Sequence, residues 1–323
     1  MLPDELKIES IRALRDRLGE RIVRTPVARA AAVENALGGK TDVFAKLEFL
    51  QQTGTFKARG ALSVLMHQPK EQLAAGITAV SAGNHAIAAA FAARSSGTTA
   101  KVVMLGSANP LRIEKCRELG AEVLIAGDAH EAFARADEIS QNEGRYFLHP
   151  FEGPYTSAGT ATIGLELCEQ IDELDAVIIP VGGGGLASGI ACAVKQLSPA
   201  TAVYGVEPIG ADSMLRSMRE GSPQTLERVD TIADSLGAPF ALPFSFALCR
   251  DNIDEIVLVS DDELRSAMRF LFSEMHIAGE PACAASTAAI LGPLADELRG
   301  KRVGLIMCGS NIDWASFERL AFA

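Results

Sequence analysis

The most constraining stretch of this 323-residue chain is an apolar run, Ala176 to Val181, that ends in four consecutive glycines, Gly182, Gly183, Gly184 and Gly185, and then opens a helical pattern at Leu186. A continuous apolar run of that length implies a strand buried on both faces, as in a parallel sheet covered by helices. Consecutive glycines are costly in folding entropy. What they offer in return is a turn whose backbone N–H groups converge at a helix start, where an anion is held without side-chain interference. The spacing matches neither G-x-G-x-x-G nor a Walker loop, since no lysine with a following serine or threonine comes after it. A single phosphate held by backbone fits; the other reading is a flexible strand–helix turn.

The rest of the chain repeats this rhythm. Short β-branched runs at Lys101 to Leu105 and Glu122 to Ile125 alternate with helical patterns near Pro110 to Leu119 and His130 to Gln141. A second series follows Pro150: a helix near Ser157 to Gln170, the glycine-ended strand, a helix from Leu186 to Gln196, and strands Ala202 to Val206 and Val303 to Met307. Two doubly wound α/β lobes are expected, joined near Leu148 to Gly153, because a chain of this length exceeds one comfortable core. The segment from Gly221 to Asn252, rich in Pro, Ser and Phe, reads as an irregular excursion that lines a cleft or covers the core.

Composition excludes several classes. A net charge of -11 argues against nucleic-acid or anionic-membrane partners, which reward clustered Lys and Arg. The N-terminus lacks the basic start and apolar stretch of a secretion signal, and no apolar run approaches the ~20 residues of a membrane helix. Cys116, Cys168, Cys192, Cys249, Cys283 and Cys308 form no C-x-x-C pair, which suits reduced thiols in the cytoplasm. His67, His85, His130, His149 and His276 are scattered without metal spacing, so no metal is expected from the histidines.

Three more features carry chemistry. Ser81, Ala82, Gly83, Asn84 and His85 follow a strand at Thr78 to Val80 and precede an Ala-rich helix, so their N–H groups can take a carboxylate. Asn84 either reaches a ligand oxygen or caps that helix. Cys308, Gly309, Ser310 and Asn311 end the strand Val303 to Met307, where a thiol is usually a small apolar filler. Lys57 lies in the first turn of a helix that follows the strand Val43 to Leu47. The dipole there favours anions, so the amine's pKa is expected to be depressed and its nucleophilic form favoured. Most lysines so placed are simply solvated.

Taken in order, Arg24-Thr25-Pro26, Thr55-Phe56-Lys57, Ser81 to His85, Gly182 to Gly185, Glu280-Pro281 and Cys308 to Asp313 resemble the fold type II pyridoxal-phosphate enzymes, specifically the threonine and serine dehydratase and serine racemase group. The resemblance spans nearly the whole chain. It implies a tryptophan synthase beta-like architecture, with residues 1–55 and 150–323 as a large cofactor-binding domain and 56–149 as a small mobile substrate domain. It implies pyridoxal 5'-phosphate as cofactor, Lys57 as the Schiff-base lysine, Phe56 near the ring, Asn84 on the ring oxygen, and Gly182 to Gly185 with Leu186 on the phosphate. Cys308 would face the pyridine nitrogen, and Ser81, Ala82, Gly83, Asn84 and His85 would hold the substrate carboxylate. A small amino-acid substrate and a homodimer or larger homo-oligomer are implied in the same way.

A neutral thiol cannot act as counter-ion to a protonated pyridine nitrogen, so the ring is a weaker electron sink and elimination is favoured over transamination. In this reading Lys57 takes the Cα proton as the Cβ hydroxyl leaves, and a 2-keto acid and ammonia result. Threonine is the first choice of substrate and serine the second. The chain departs from the group in three places. Ala82 stands where serine racemases carry a second serine, which argues against racemisation. Ile87 replaces a common glutamine, which opens the pocket to a bulkier or more apolar substrate such as phenylserine, with hydroxyaspartate a further alternative. The group's divalent-cation site maps to Glu207, the carbonyl of Ala211 and Ser213, where an acidic residue is expected in the last place. The chain ends about ten residues after Asp313, so no regulatory extension and no end-product feedback are expected.

Overall fold

A computed structural model describes residues 2–81, 83–106 and 108–323. Its strands are β1 (Val27–Arg29), β2 (Asp42–Lys46), β3 (Ile77–Val80), β4 (Ala100–Leu105), β5 (Glu122–Ala126), β6 (Tyr146–Phe147), β7 (Ala176–Pro180), β8 (Ala202–Pro208), β9 (Glu255–Val259) and β10 (Arg302–Ile306). They form two sheets, ordered β1-β2-β10-β7-β8-β9 and β5-β4-β3-β6. The smaller sheet is parallel throughout. The larger is parallel except at its edge, where β1 runs antiparallel to β2.

All five residues of β7 are buried, as its unbroken apolar sequence requires. Crossover helices cover the faces, so the double winding expected from the alternating pattern is present. One apolar cluster surrounds the larger sheet, and a second joins the smaller sheet to the helices Lys57–His67 and Asn84–Ser95.

Helix packing fixes how the functional turns meet. Helix Pro154–Gln170 lies between helix Lys57–His67 and helix Gly185–Leu197. A Cβ on Gly159 would fall 2.5 Å from the Arg59 carbonyl oxygen, and one on Gly189 would fall 2.2 Å from that of Ser157. Only glycine permits backbones this close. The helix that starts at Lys57 is thereby brought against the one that starts at the glycine turn.

One expectation is corrected. The tract from Gly221 to Asn252 is not irregular throughout: it holds a short 3-10 turn, Asp234–Leu236, and ends in the helix Pro243–Asn252. That helix begins with proline at its first turn, and Glu152 accepts hydrogen bonds from the backbone N–H groups of Phe244 (2.7 Å) and Ser245 (3.1 Å). Its cap comes from a distant segment, so the leading proline is the only local start signal it offers.

Candidate active site

The turns singled out in the sequence open onto one cleft of about 270 Å³ at the carboxyl ends of the parallel strands. Phe56, Lys57, Ser81, Gly83, Asn84, His85, Gly182, Gly183, Gly184, Gly185, Leu186 and Cys308 all line it. Ala82 lies outside the described residues.

Lys57 begins its helix, half-buried, with Nζ donating to the Pro150 carbonyl (3.1 Å) and lying 5.3 Å from the centre of the Phe56 ring. Burial lowers its pKa from 10.5 to about 8. The direction is the one the sequence implies; the physical cause is desolvation of the ammonium more than a helix dipole. Backbone contacts tie this lysine to the opposite wall, since the Phe56 N–H donates to the Cys308 carbonyl (3.1 Å) and Thr55 bridges Gly309. The Cys308 thiol is buried and its pKa is raised well above the usual value by desolvation, so it is neutral.

Behind Lys57 is a fully buried ionic cluster. Arg59 donates to both oxygens of Glu48 (2.9 Å each) and to both oxygens of Glu166 (2.7 and 2.9 Å). Lys46 donates to Glu166 (2.6 Å) and to the Thr25 carbonyl (2.7 Å). These bonds pin the first turn of the lysine's helix to β2 and to helix Pro154–Gln170.

In the glycine turn Gly184 has φ +89, the left-handed conformation that favours glycine, and it precedes helix Gly185–Leu197 with no side-chain cap. A Cβ on Gly183 would fall 2.5 Å from the Phe151 ring, one on Gly184 2.7 Å from Met214 Cε, and one on Gly185 2.8 Å from the Phe151 backbone. The turn is seated from behind by Phe151 and Met214, and it lines the cleft at a helix start that no side chain caps. That donor set, beside an amine and a neutral thiol, fits pyridoxal phosphate: a phosphate for the turn, an aldehyde for Lys57, and no anion against the ring nitrogen.

The second turn is more occupied than the sequence suggests. Gly83 precedes helix Asn84–Ser95 with no side-chain cap, so Asn84 does not cap that helix. Its side-chain NH2 donates to both oxygens of Glu280 (3.0 and 2.8 Å), and its carbonyl accepts from Asn311 (2.9 Å). The His85 imidazole donates from Nε2 to the Leu148 carbonyl (2.9 Å), leaving the backbone N–H to the turn. Burial lowers its pKa from 6.5 to about 3, so the ring is neutral. The Ser81 hydroxyl accepts from the Gly83 N–H (3.0 Å). His149 accepts at Nδ1 from the N–H groups of Phe151 (3.3 Å) and Glu152 (3.0 Å), and its pKa is lowered to about 4, again by burial.

Sequence reasoning missed several neighbours. Arg112 is buried and donates from Nε to the Asn311 carbonyl (3.0 Å), from Nη1 to Asp234 (2.6 Å) and from Nη2 to Glu280 (3.1 Å). Burial pushes the Glu280 carboxyl up and Arg112 opposes that. Leu105 and Phe133 add an apolar wall, and Phe133 is 39% exposed. Apart from the Glu280-Pro281 pair, no local pattern marks these residues, because their partners are more than a hundred positions away.

Glu207 is buried and accepts from the backbone N–H groups of Met214 (2.9 Å) and Leu215 (2.8 Å), and desolvation pushes its pKa up to about 8. Ala211 and Ser213 are buried beside this helix start, and the Ser213 hydroxyl has no protein partner. No group of three His, Cys, Asp or Glu able to hold a metal occurs among the described residues. No helix among them is long and apolar enough to cross a membrane.

Comparison with known proteins agrees with this chemistry. Residues 19–309 match the family model described as pyridoxal-phosphate dependent enzyme. A phenylserine dehydratase of Ralstonia pickettii is 51% identical over 318 residues, covering 98% of this chain and 96% of that protein. An L-threonine ammonia-lyase of Thermotoga maritima is 36% identical over 98% of this chain and 78% of its own length. The structure of maize serine racemase superposes with a TM-score of 0.91 at 31% identity, covering 97% of this chain and 96% of the racemase. With the fold type II architecture, the match along most of its length and the lysine, thiol and glycine turn gathered in one cleft, this chain belongs to the family of pyridoxal-phosphate-dependent enzymes and is a dehydratase, an ammonia-lyase, within it.

Proposed function

We propose that this ammonia-lyase acts on a 3-hydroxy amino acid with a bulky apolar side chain, of the phenylserine kind, and releases the 2-keto acid and ammonia. The carrying observation is the half-open apolar wall of Leu105 and Phe133 in the same cleft as Lys57. An exposed aromatic ring at the rim of a substrate cleft is accounted for if a second ring packs on it, an arrangement worth about 0.5–1.5 kcal/mol beyond area burial. The name of the Ralstonia pickettii relative supports the same choice. Threonine is the second reading, supported by the name of the Thermotoga maritima relative.

Pyridoxal phosphate supplies the aldehyde and the electron-withdrawing ring. The chain's own residues do the rest. Lys57 carries the coenzyme and, once freed, takes the Cα proton on Nζ; a pKa near 8 keeps a useful share of that amine neutral. The backbone of Gly182 to Gly185 with Leu186 would hold the phosphate, Asn84 would reach the ring oxygen by giving up part of its bonding to Glu280, and neutral Cys308 would leave the ring nitrogen without a counter-ion. The turn from Ser81 to His85 would hold the substrate carboxylate and so orient the substrate for loss of the Cα proton. Ala82 offers no hydroxyl to return a proton to the opposite face, so the substrate leaves as keto acid and not as its mirror image.

The test is keto-acid formation from phenylserine, threonine and serine, with borohydride labelling and peptide mapping for the lysine. Phenylserine is expected to give the highest kcat/KM, and Phe133→Ala to lower that value about tenfold while sparing threonine. A wild-type preference for threonine, or a label on a lysine other than Lys57, overturns the proposal.

A further inference from the structure

Arg112 is the one cation besides Lys57 among the described residues lining the cleft. Its guanidinium lies over the carboxylate turn, since a Cβ on Gly83 would fall 2.6 Å from its Nη1. A free guanidinium there is what a substrate with a second carboxylate requires, because the planar fork takes a carboxylate at two points. This one is not free. Nη1 is bound to Asp234 (2.6 Å), Nη2 to Glu280 (3.1 Å) and Nε to the Asn311 carbonyl (3.0 Å). Asn84, the Asn311 N–H and Arg112 donate to Glu280, and the single Ser235 hydroxyl proton goes to either Glu280 or Asp234. One guanidinium is therefore shared between two carboxyl groups, and of these Asp234 lines the cleft.

The two carboxylates are not equivalent. Glu280 is 1% exposed and fixed at the start of helix Pro281–Leu291, whereas the Asp234 side chain is 55% exposed on the short 3-10 turn beside the cleft. Glu280 is needed to hold Asn84 and Asn311; Asp234 touches only Arg112 and its neighbour Ser235. Resting on the reading of the site as one for 3-hydroxy amino acids, we propose that Asp234 is a specificity-determining residue, which by occupying Arg112 turns a ready anion site into a barrier against substrates with an acidic side chain. Apolar side chains do not compete for Arg112 and pass.

The experiment compares the holoenzyme with Asp234→Asn. The variant keeps the shape of the side chain, removes the repelling charge and leaves Nη1 only a neutral amide acceptor in place of a carboxylate, a weaker hold that an incoming carboxylate can displace. The ratio of kcat/KM for 3-hydroxyaspartate to that for phenylserine is expected to rise on the order of tenfold, the size of one screened unit charge at the rim of a cleft. Adding Arg112→Gln to Asp234→Asn should cancel the gain. Calorimetric binding of succinate and of butyrate gives the same comparison without turnover: Asp234→Asn should tighten succinate about tenfold and leave butyrate unchanged. An unchanged ratio, equal changes for both substrates, or no gain for succinate overturns the assignment of Asp234. A wild type inert toward every 3-hydroxy amino acid overturns the parent reading instead, and the succinate comparison still decides the role of Asp234.

Discussion

Gly185→Ala tests whether the glycine turn is fixed by what lies behind it. The added Cβ would fall 2.8 Å from the Cα, Cβ and carbonyl oxygen of Phe151, against an ordinary contact of 3.4 Å or more. Phe151 cannot retreat easily, since Pro150 is bound to Lys57 and Glu152 caps the helix Pro243–Asn252. The turn itself must move by roughly 0.6 Å, the gap between those two distances, and overpacking of this kind costs about 1–3 kcal/mol. An unfolding entropy of about 2.1 cal/mol/K per residue makes each kcal/mol worth roughly 1.5 °C in a chain this long. A fall in Tm of about 1.5–4.5 °C is expected, and coenzyme affinity, read from absorbance titration, should weaken about tenfold as the turn is displaced. Gly304→Ala is the control, because its Cβ would meet only Leu167 and Leu174 side-chain atoms at 3.4–3.7 Å. Unaltered coenzyme affinity in Gly185→Ala, or the same loss in Gly304→Ala, would refute the reasoning.

Two further outcomes follow from burial. With its pKa lowered from 10.5 to about 8, Lys57 presents about 300 times more neutral amine near pH 7 than a solvated lysine. Labelling of the apoprotein by trinitrobenzenesulfonate, followed at this residue by peptide mapping, should rise about tenfold per pH unit and level off near 8; a rate still climbing at pH 10 contradicts this. Arg59→Met leaves Glu48 without a cation and Glu166 with Lys46 alone. A loss of about 3–5 kcal/mol is expected, roughly 4–8 °C in Tm, and a melting point within about 1 °C of wild type would show the cluster to be energetically neutral.

The parts of the site that the sequence shows are those made by one turn at a time. The strand entering Gly182, the turn at Ser81 and the lysine at a helix start each carry their own geometry in a few consecutive residues, and the parallel sheet gathers such turns at one end. What the sequence hides is made between segments. Arg112 acquires its meaning from Asp234 and Glu280, 122 and 168 positions away. Phe133 looks like an ordinary apolar helix residue until the strand order sets its helix beside the cleft. The helix Pro243–Asn252 is partly hidden for the same reason, since its cap comes from Glu152 and only the leading proline is local. Even for Lys57 the sign of the pKa shift was legible and its source was not: dipoles are local, whereas desolvation is a property of everything packed around a group.

The two imidazoles beside the Lys57 segment, His85 and His149, make part of the fold's stability sensitive to acid. His85 and His149 have pKa values lowered from 6.5 to about 3 and about 4, so the folded chain refuses protons that the unfolded chain accepts. The stability that these two rings contribute is complete above pH 6.5 and declines as the medium becomes more acidic. By pH 5 each ring withdraws on the order of 2 kcal/mol, and together they remove a large share of the 5–15 kcal/mol that holds a typical protein together. The rings clamp Leu148 and the amides of Phe151 and Glu152 in the segment that crosses beneath Lys57. Souring the solution should therefore loosen this crossing before the sheets come apart.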